Sequence, residues 1–301
     1  MVAFFFYDLI NMKIRDIILG LLFAMIWSSA FTSARIAMFD APPFLLLSLR
    51  FLLSGTIAMV IAYFLDQSIS FSKPEWYAIC IFGLCQNTVY LGLNFVAIQW
   101  IDASLAAIIA SLLPLIVTIF SWFFLKERLS KVGLSGLLIG LFGVIFIMNA
   151  GTTSKLNTIG VIFCLCGVVA LAIATIIVRH SSGKNLLMMI GLQMIVGSIT
   201  LFPLSVAFET WEVTWSFRLL AAFLYTTIFP GLVATVIWFK LLHFIGPIKA
   251  AAFHFLNPFF GVLIAHLILS EKLLPQQIIG VSLVMAAILI LQISNISKSV
   301  K

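Results

Sequence analysis

Charge is scarce in this chain. Only 9% of the 301 residues are Asp, Glu, Lys or Arg, whereas 63% are hydrophobic and the mean hydropathy is +1.23. A soluble domain carries roughly 25% charged residues, so a water-facing globule of this size could not cover its surface. That shortage excludes a soluble enzyme, a disordered chain and a nucleic-acid-binding domain. It leaves an integral membrane protein surrounded by lipid. Cysteine is sparse as well: Cys80, Cys85, Cys164 and Cys166 all sit inside apolar runs, so no disulfide framework is implied. Cys164 and Cys166 point to different faces of a helix and make a poor metal pair. The histidines (His180, His243, His254, His266) lack metal-ligand spacing, and the chain holds neither a phosphate loop nor a GxGxxG motif. Neither catalysis, a metal nor a cofactor is expected.

What the chain does have is long apolar runs. A bilayer core about 30 Å thick takes about 20 apolar residues per helix. Ten runs qualify: 17–37, 44–65, 76–98, 103–124, 132–149, 159–178, 186–207, 218–241, 248–269 and 275–293. Transmembrane strands would alternate in polarity, and these runs do not, so the expected fold is all-α. The stretch MVAFFFYDLINMKIRD (1–16) is not a convincing signal peptide, because Lys13 and Arg15 follow its apolar part instead of preceding it. It reads as an N-terminal cytoplasmic extension, or as sequence before a start at Met12. A first block of five spans (17–149), a linker (150–158), a second block (159–293) and a tail (294–301) complete the expected organisation.

Ten spans put both termini on one side. If that side is cytoplasmic, it carries Lys13, Arg15, Lys73, Lys126, Arg128, Lys131, Arg179, Lys184, Lys240, Lys249, Lys298 and Lys301. The opposite side carries Lys155, Arg218 and Lys272. Such asymmetry predicts N-in, C-in by the positive-inside rule, and it accounts for the net charge of +7 without nucleic acid.

The sequence also repeats itself. LLPLIVTIFSWFFLKERLSKVGLSG (112–136) resembles FLNPFFGVLIAHLILSEKLLPQQIIG (255–280) at a shift of 144 residues, pairing Pro114 with Pro258, Glu127 with Glu271 and Gly136 with Gly280. Five spans per half would place the halves upside down relative to each other. Inverted repeats are the architecture of secondary transporters, which hold substrate near the midplane between the halves. Glu127 and Glu271 each begin a charged turn, where each is expected to stabilise the N-terminus of the helix that follows.

IWSSAF (26–31), PPFLLLSLRFLLSG (42–55) and ASLAAIIASLLPLIVTIFSWFFLKERL (103–129) resemble the EamA group of the drug/metabolite transporter superfamily. The resemblance covers essentially the whole chain. It implies a ten-helix carrier, with many members exporting amino acids or related metabolites and others importing nucleotides or S-adenosylmethionine. The second copy, TIGVIFCLCGVVALAIATI, lacks the tryptophan–serine signature of the first span.

Polar residues inside the runs nominate a substrate site. Arg50 lies six residues into the second span, where an unpaired arginine costs several kcal/mol. Its partner is expected to be water, a backbone carbonyl or substrate, unless it snorkels to the interface. Gln86, Tyr90 and Asn94 fall at i, i+4 and i+8 on the third span, with Asn87 beside them, a stripe that a lipid-facing helix would avoid. His254 and Asn257 precede Pro258 on the ninth span, and broken helices often line substrate sites. Trp27, Ser28 and Tyr225 are weaker candidates, and Trp238 reads first as an interfacial belt residue. All ten acids fall at termini, connections or span ends, so transport driven by the substrate gradient is expected over proton coupling. The expected function is a secondary transporter of a small polar or zwitterionic metabolite, an amino-acid-type exporter or exchanger. An importer of S-adenosylmethionine or a nucleotide-type metabolite is the alternative, and a non-transporting scaffold or receptor the rival of a different class. A homodimer is left open.

Overall fold

The computed structural model describes residues 13–125, 131–149, 157–178, 185–271 and 275–296, and all regular structure among them is helical. Glu127, the Met1 and Met12 starts, and most of the proposed linker and tail lie outside the described residues. The chain runs through α1 (Ile14–Ala37), α2 (Pro43–Phe64), α3 (Lys73–Ala97), α4 (Ala103–Ala110), α5 (Leu113–Leu125) and α6 (Lys131–Asn149). It continues through α7 (Thr158–Val178), α8 (Leu186–Phe208), α9 (Phe217–Gly246), α10 (Asn257–Leu269) and α11 (Pro275–Ile296). Among the described residues, seven stretches are long and apolar enough to cross a membrane: α1, α2, α3, the α4–α5 stretch Ala103–Phe120, α7, α8 and α9. Their outer faces expose large apolar side chains such as Leu52, Ile162 and Ile199, which lipid can cover.

Loop contacts define two ends of the bundle. At the Asp40 end, Arg218 pairs with Asp40 through two contacts of 2.5 and 3.0 Å, and Arg35 donates to the carbonyls of Ile98 and Ile101. At the Asp66 end, Ser68 N–H donates to Asn185 Oδ1, and the Arg15 guanidinium lies 4.0 Å from the centroid of Phe244.

Helices α2 and α8 pack antiparallel, with Ser48 against Ser198 and Gly55 against Gly191. Their free N-terminal N–H groups are satisfied reciprocally. Glu209, just past α8, accepts from Phe44 N (2.6 Å) and Leu45 N (2.9 Å) at the Asp40 end. Gln67, just past α2, accepts from Leu187 N (2.9 Å) and Met188 N (3.1 Å) at the Asp66 end.

The sequence repeat reappears as matching irregularities. Within α3 the segment Gly83–Tyr90 is π-helical, and within α9 the segment Thr227–Val233 is π-helical. In the first, Gly83 lets the backbone approach Gln193, whose carbonyl would be 2.7 Å from a Cβ there, and Thr88 Oγ1 donates back to Gly83 O. In the second, Pro230 cannot supply an N–H to the α-helical ladder. A turn at Ser111–Leu112 separates α4 from α5, and a 3-10 turn at Phe253–Leu256 precedes α10.

Glu271 corrects an expectation. Among the described residues its carboxylate accepts not from the helix that follows it but from Ala103 N (3.0 Å), Ser104 N (3.2 Å) and Ser104 Oγ at the start of α4. Ser270 adopts a left-handed conformation (φ 56°) that ends α10 and turns the chain across the bundle. The free N–H groups thereby reached belong to the other repeat.

Candidate functional site

A cavity of about 460 Å³, counting its open mouth, lies among α1, α2, α3 and α9. Its walls are Trp27, Ala30, Phe31 and Ala34 from α1 and Arg50 and Phe51 from α2. Gln86, Asn87, Tyr90, Leu91, Asn94, Phe95 and Ile98 come from α3 and the residue after it, and Pro230, Gly231 and Thr235 from α9. Both π-helical segments therefore reach the cavity. The wider π turn has a reason to be here: π-bulges interrupt the α-helical ladder and recur at functional sites. In α3 it lets the adjacent Gln86 and Asn87 both face the space that Tyr90 and Asn94 share.

Among the described residues that line the wall, Arg50 is the only charged one. It is 2% exposed, so it does not snorkel to the interface. Its Nε and Nη1 find no hydrogen-bond partner, and among the described residues the ion pairs are Arg15–Asp16 and Arg218–Asp40. The guanidinium instead lies 5.3 Å from the Phe51 centroid and 5.9 Å from the Phe95 centroid. Gly231 makes room for it: a Cβ there would sit 2.9 Å from Thr226 O and 3.5 Å from Arg50 Nη2. Burial of a polar group is compensated when it is hydrogen-bonded, and of a charge when it is paired. Here the compensation is missing from the protein itself.

Two of the neighbouring amides, Asn87 and Asn94, spend donors on backbone carbonyls, and the oxygens of Asn94 and Gln86 stay unpartnered. Asn94 Nδ2 donates to Tyr90 O (2.8 Å) and leaves Oδ1 unpartnered, and Gln86 Oε1 is also buried without a donor. Asn87 Nδ2 donates to Gln193 O at 2.9 Å. Tyr90 stacks against Trp27, centroids 6.3 Å apart and planes within 10°. The cavity thus offers one fixed cation, two free amide oxygens and aromatic walls.

Six of the ten residues singled out from sequence line this cavity: Trp27, Arg50, Gln86, Asn87, Tyr90 and Asn94. The other four do not. Ser28 donates to Asn257 Oδ1 (3.1 Å) on the side of α1 that faces α10. Tyr225 is partly exposed and shares a 2.6 Å hydrogen bond with Ser29. His254 is packed between the rings of Phe23, Trp27 and Trp238, with centroids at 5.0, 5.7 and 5.0 Å. That cluster also corrects the reading of Trp238, which is 2% exposed in the interior and no belt residue. Its distance along α9 suggested the interface, but the bend at Gly246 (φ 75°) returns the following segment over it. Gly231 and the aromatic residues Phe51 and Phe95 were not singled out as binding residues; only packing around Arg50 identifies them.

The profile of the EamA-like transporter family matches residues 14–149 and again residues 158–293, two matches 144 residues apart. The chain belongs to the EamA-like transporter family. An uncharacterized transporter, YvbV, of Bacillus subtilis is 23% identical over 278 residues, covering 92% of this chain and 91% of that one. An uncharacterized transporter of Archaeoglobus fulgidus is 27% identical over 266 residues, covering 88% of this chain and 94% of that one. A protein of known crystal structure shares the fold with a TM-score of 0.70 at 16% identity, over 95% of this chain and all of the other. The protein is a multi-pass membrane transporter and not an enzyme.

Proposed function

We propose that this EamA protein is a secondary carrier for a small polar or zwitterionic metabolite of amino-acid type, working as an exporter or exchanger. One observation carries the reading: a buried guanidinium without a protein partner, beside two unpartnered amide oxygens. A carboxylate pairs with Arg50 through a charge-assisted, bidentate contact. An ammonium, if the substrate bears one, takes Gln86 Oε1 and Asn94 Oδ1, and an apolar body fits between Trp27, Tyr90 and Phe95. Among the described residues no acid lines the cavity to receive a net cation, which disfavours S-adenosylmethionine.

The carrier architecture we propose is ten spans in two inverted five-helix repeats, from 17–149 and 159–293, in the cytoplasmic membrane. It is supported by the caps of α2 and α8 at opposite ends and by the paired π-helical segments. The surplus of basic residues makes the Asp66 end cytoplasmic. Among the described residues no carboxylate stands on the cavity wall to alternate between protonation and substrate, so the substrate gradient drives flux.

The test is exchange in proteoliposomes. Vesicles loaded with a mixture of apolar amino acids should take up labelled members of that mixture without an imposed ion gradient. A pH gradient should not drive accumulation above equilibrium. Uptake of labelled S-adenosylmethionine with none of any amino acid would overturn the substrate reading, and no exchange of any solute would overturn the carrier.

A further inference from the structure

Apart from Trp27, the aromatic cluster beneath the cavity has no place in the binding of substrate described above, yet it contains the largest group of unsatisfied polar atoms outside the cavity among the described residues. The Ala251 backbone lies beside the His254 ring, but neither ring nitrogen reaches hydrogen-bonding geometry with it or any other group, and Trp238 Nε1 and Asn257 Nδ2 are likewise unpartnered. His254 is 1% exposed and Asn257 fully buried. Phe23 stands one turn below Trp27 on α1, toward the Asp66 end. Phe23, Trp238 and His254 therefore pack on that side of Trp27, with Phe23 and Trp238 stacked at 5.2 Å.

The segment that carries His254 is bounded by a backbone irregularity at each end. It begins at Gly246, the one glycine with positive φ (75°) among the described residues, where a side chain would meet nothing within 4 Å. It ends in the 3-10 turn Phe253–Leu256, after which Pro258 starts α10 afresh. Its seat on α1 is specific: a Cβ on Gly20 would lie 2.1 to 2.4 Å from the ring of Phe253. Any side chain at that position would force the ring to shift.

We infer that residues 247–256 form the gate on the Asp66 side, closed by Phe253 seated on Gly20 and by His254 within its aromatic cage. Opening the gate carries His254 away from Phe23 and Trp238. It exposes the imidazole, the Asn257 amide and the Trp238 indole N–H to a vestibule continuous with the cavity. Polar atoms that are costly in the closed state are solvated in the open one, which offsets part of the packing lost on opening. His254 and Asn257 are thus polar groups of the opposite-facing state. The role of the gate rests on the carrier reading, but its existence does not.

The experiment is thiol accessibility, with the four native cysteines replaced by alanine. Ala30→Cys reports on the cavity, and Ser70→Cys marks the face of the membrane at the Asp66 end. With an impermeant maleimide applied to that face, Gly20→Ala should raise labelling of the Ala30→Cys reporter several-fold, because the gate can no longer seat. Adding Phe253→Ala should return labelling to within about twofold of the parent. No rise in an inserted Gly20→Ala protein overturns the gate, as does a rise that Phe253→Ala fails to reverse. If Gly20→Ala does not insert, Asn257→Cys in the parent decides. It should label slowly from the Asp66 face and not from the other, and labelling from the Asp40 face alone, or from neither, overturns the proposal. None of these readouts needs a substrate, so failed exchange in proteoliposomes counts against the carrier alone.

Discussion

The two π-helical segments occupy equivalent positions in the repeats and present opposite chemistry to one cavity. Gly83–Tyr90 brings Gln86, Asn87 and Tyr90, whereas Thr227–Val233 brings Pro230 and Gly231. At the shift of 144 residues that relates the two family matches, Gln86 corresponds to Pro230 and Asn87 to Gly231. The first segment recognises, and the second makes room. Arg50 shows the same division, since it comes from the first repeat but rests against Gly231 of the second, while its own counterpart is the buried Met194. A duplicated scaffold thus holds a single lopsided site, with its charge supplied by one repeat and the space for that charge by the other.

The sharpest way to break this comparison is to move the charge. Arg50→Ala should reduce exchange by about 30-fold or more while the protein still inserts, since losing a partner from a buried charge pair costs about 2–5 kcal/mol. Arg50→Lys should keep part of the activity, because a point charge cannot reproduce a bidentate contact. Arg50→Met combined with Met194→Arg should not restore it, as the second cation would face Asn87 instead of a glycine-made recess. Restored exchange would mean that the halves are interchangeable.

A smaller effect is expected at the reciprocal caps, where a carboxylate (Glu209) and an amide (Gln67) do the same job at opposite ends. Glu209→Gln should lower the melting temperature in detergent, and Gln67→Glu should raise it. Each change is worth about 0.3–1 kcal/mol, the usual scale for a charge at a helix N-terminus. Effects of the same sign would break the pairing of the two caps.

The smallest effect concerns the Asp40 end. Hydrogen bonds from Arg218 and then Ser216 hold the Asp40 carboxyl below its ordinary range. A lowered folded-state pKa contributes stability above the unfolded value of about 3.9 and loses it as pH falls through the folded value. The melting temperature of the parent should therefore be insensitive to this pair between about pH 5 and 8. Asp40→Asn should lower it slightly and equally across that window. A loss confined to the acidic edge of the window would show that the carboxyl titrates near its ordinary value.

How much of this was legible beforehand can be judged residue by residue. Arg50, Gln86, Tyr90 and Asn94 stood out because polar groups are expensive in hydrocarbon, and that cost does not depend on the fold. His254 and Asn257 stood out for the same reason, but cost alone cannot say whether a buried polar group faces a cavity or a closed ring of aromatics. Trp238 was misjudged because its depth was counted along a straight helix, and the bend at Gly246 changes what covers it. Glu271 was given the right task at the wrong helix, because proximity in sequence is a poor guide once Ser270 turns the chain across the bundle.

The sequence by itself determined the solvent this protein folds in, its helical class and its internal duplication. Apolar run length and periodic self-similarity are local properties, fixed by hydrocarbon thickness and by backbone hydrogen bonding. Which polar groups share a space was decided only by the tertiary structure. Arg50 and Gly231 are 181 positions apart, and Ser28 and Asn257 are 229 apart. Helix packing alone sets whether such residues meet, and a single π turn redirects the side chains that follow it.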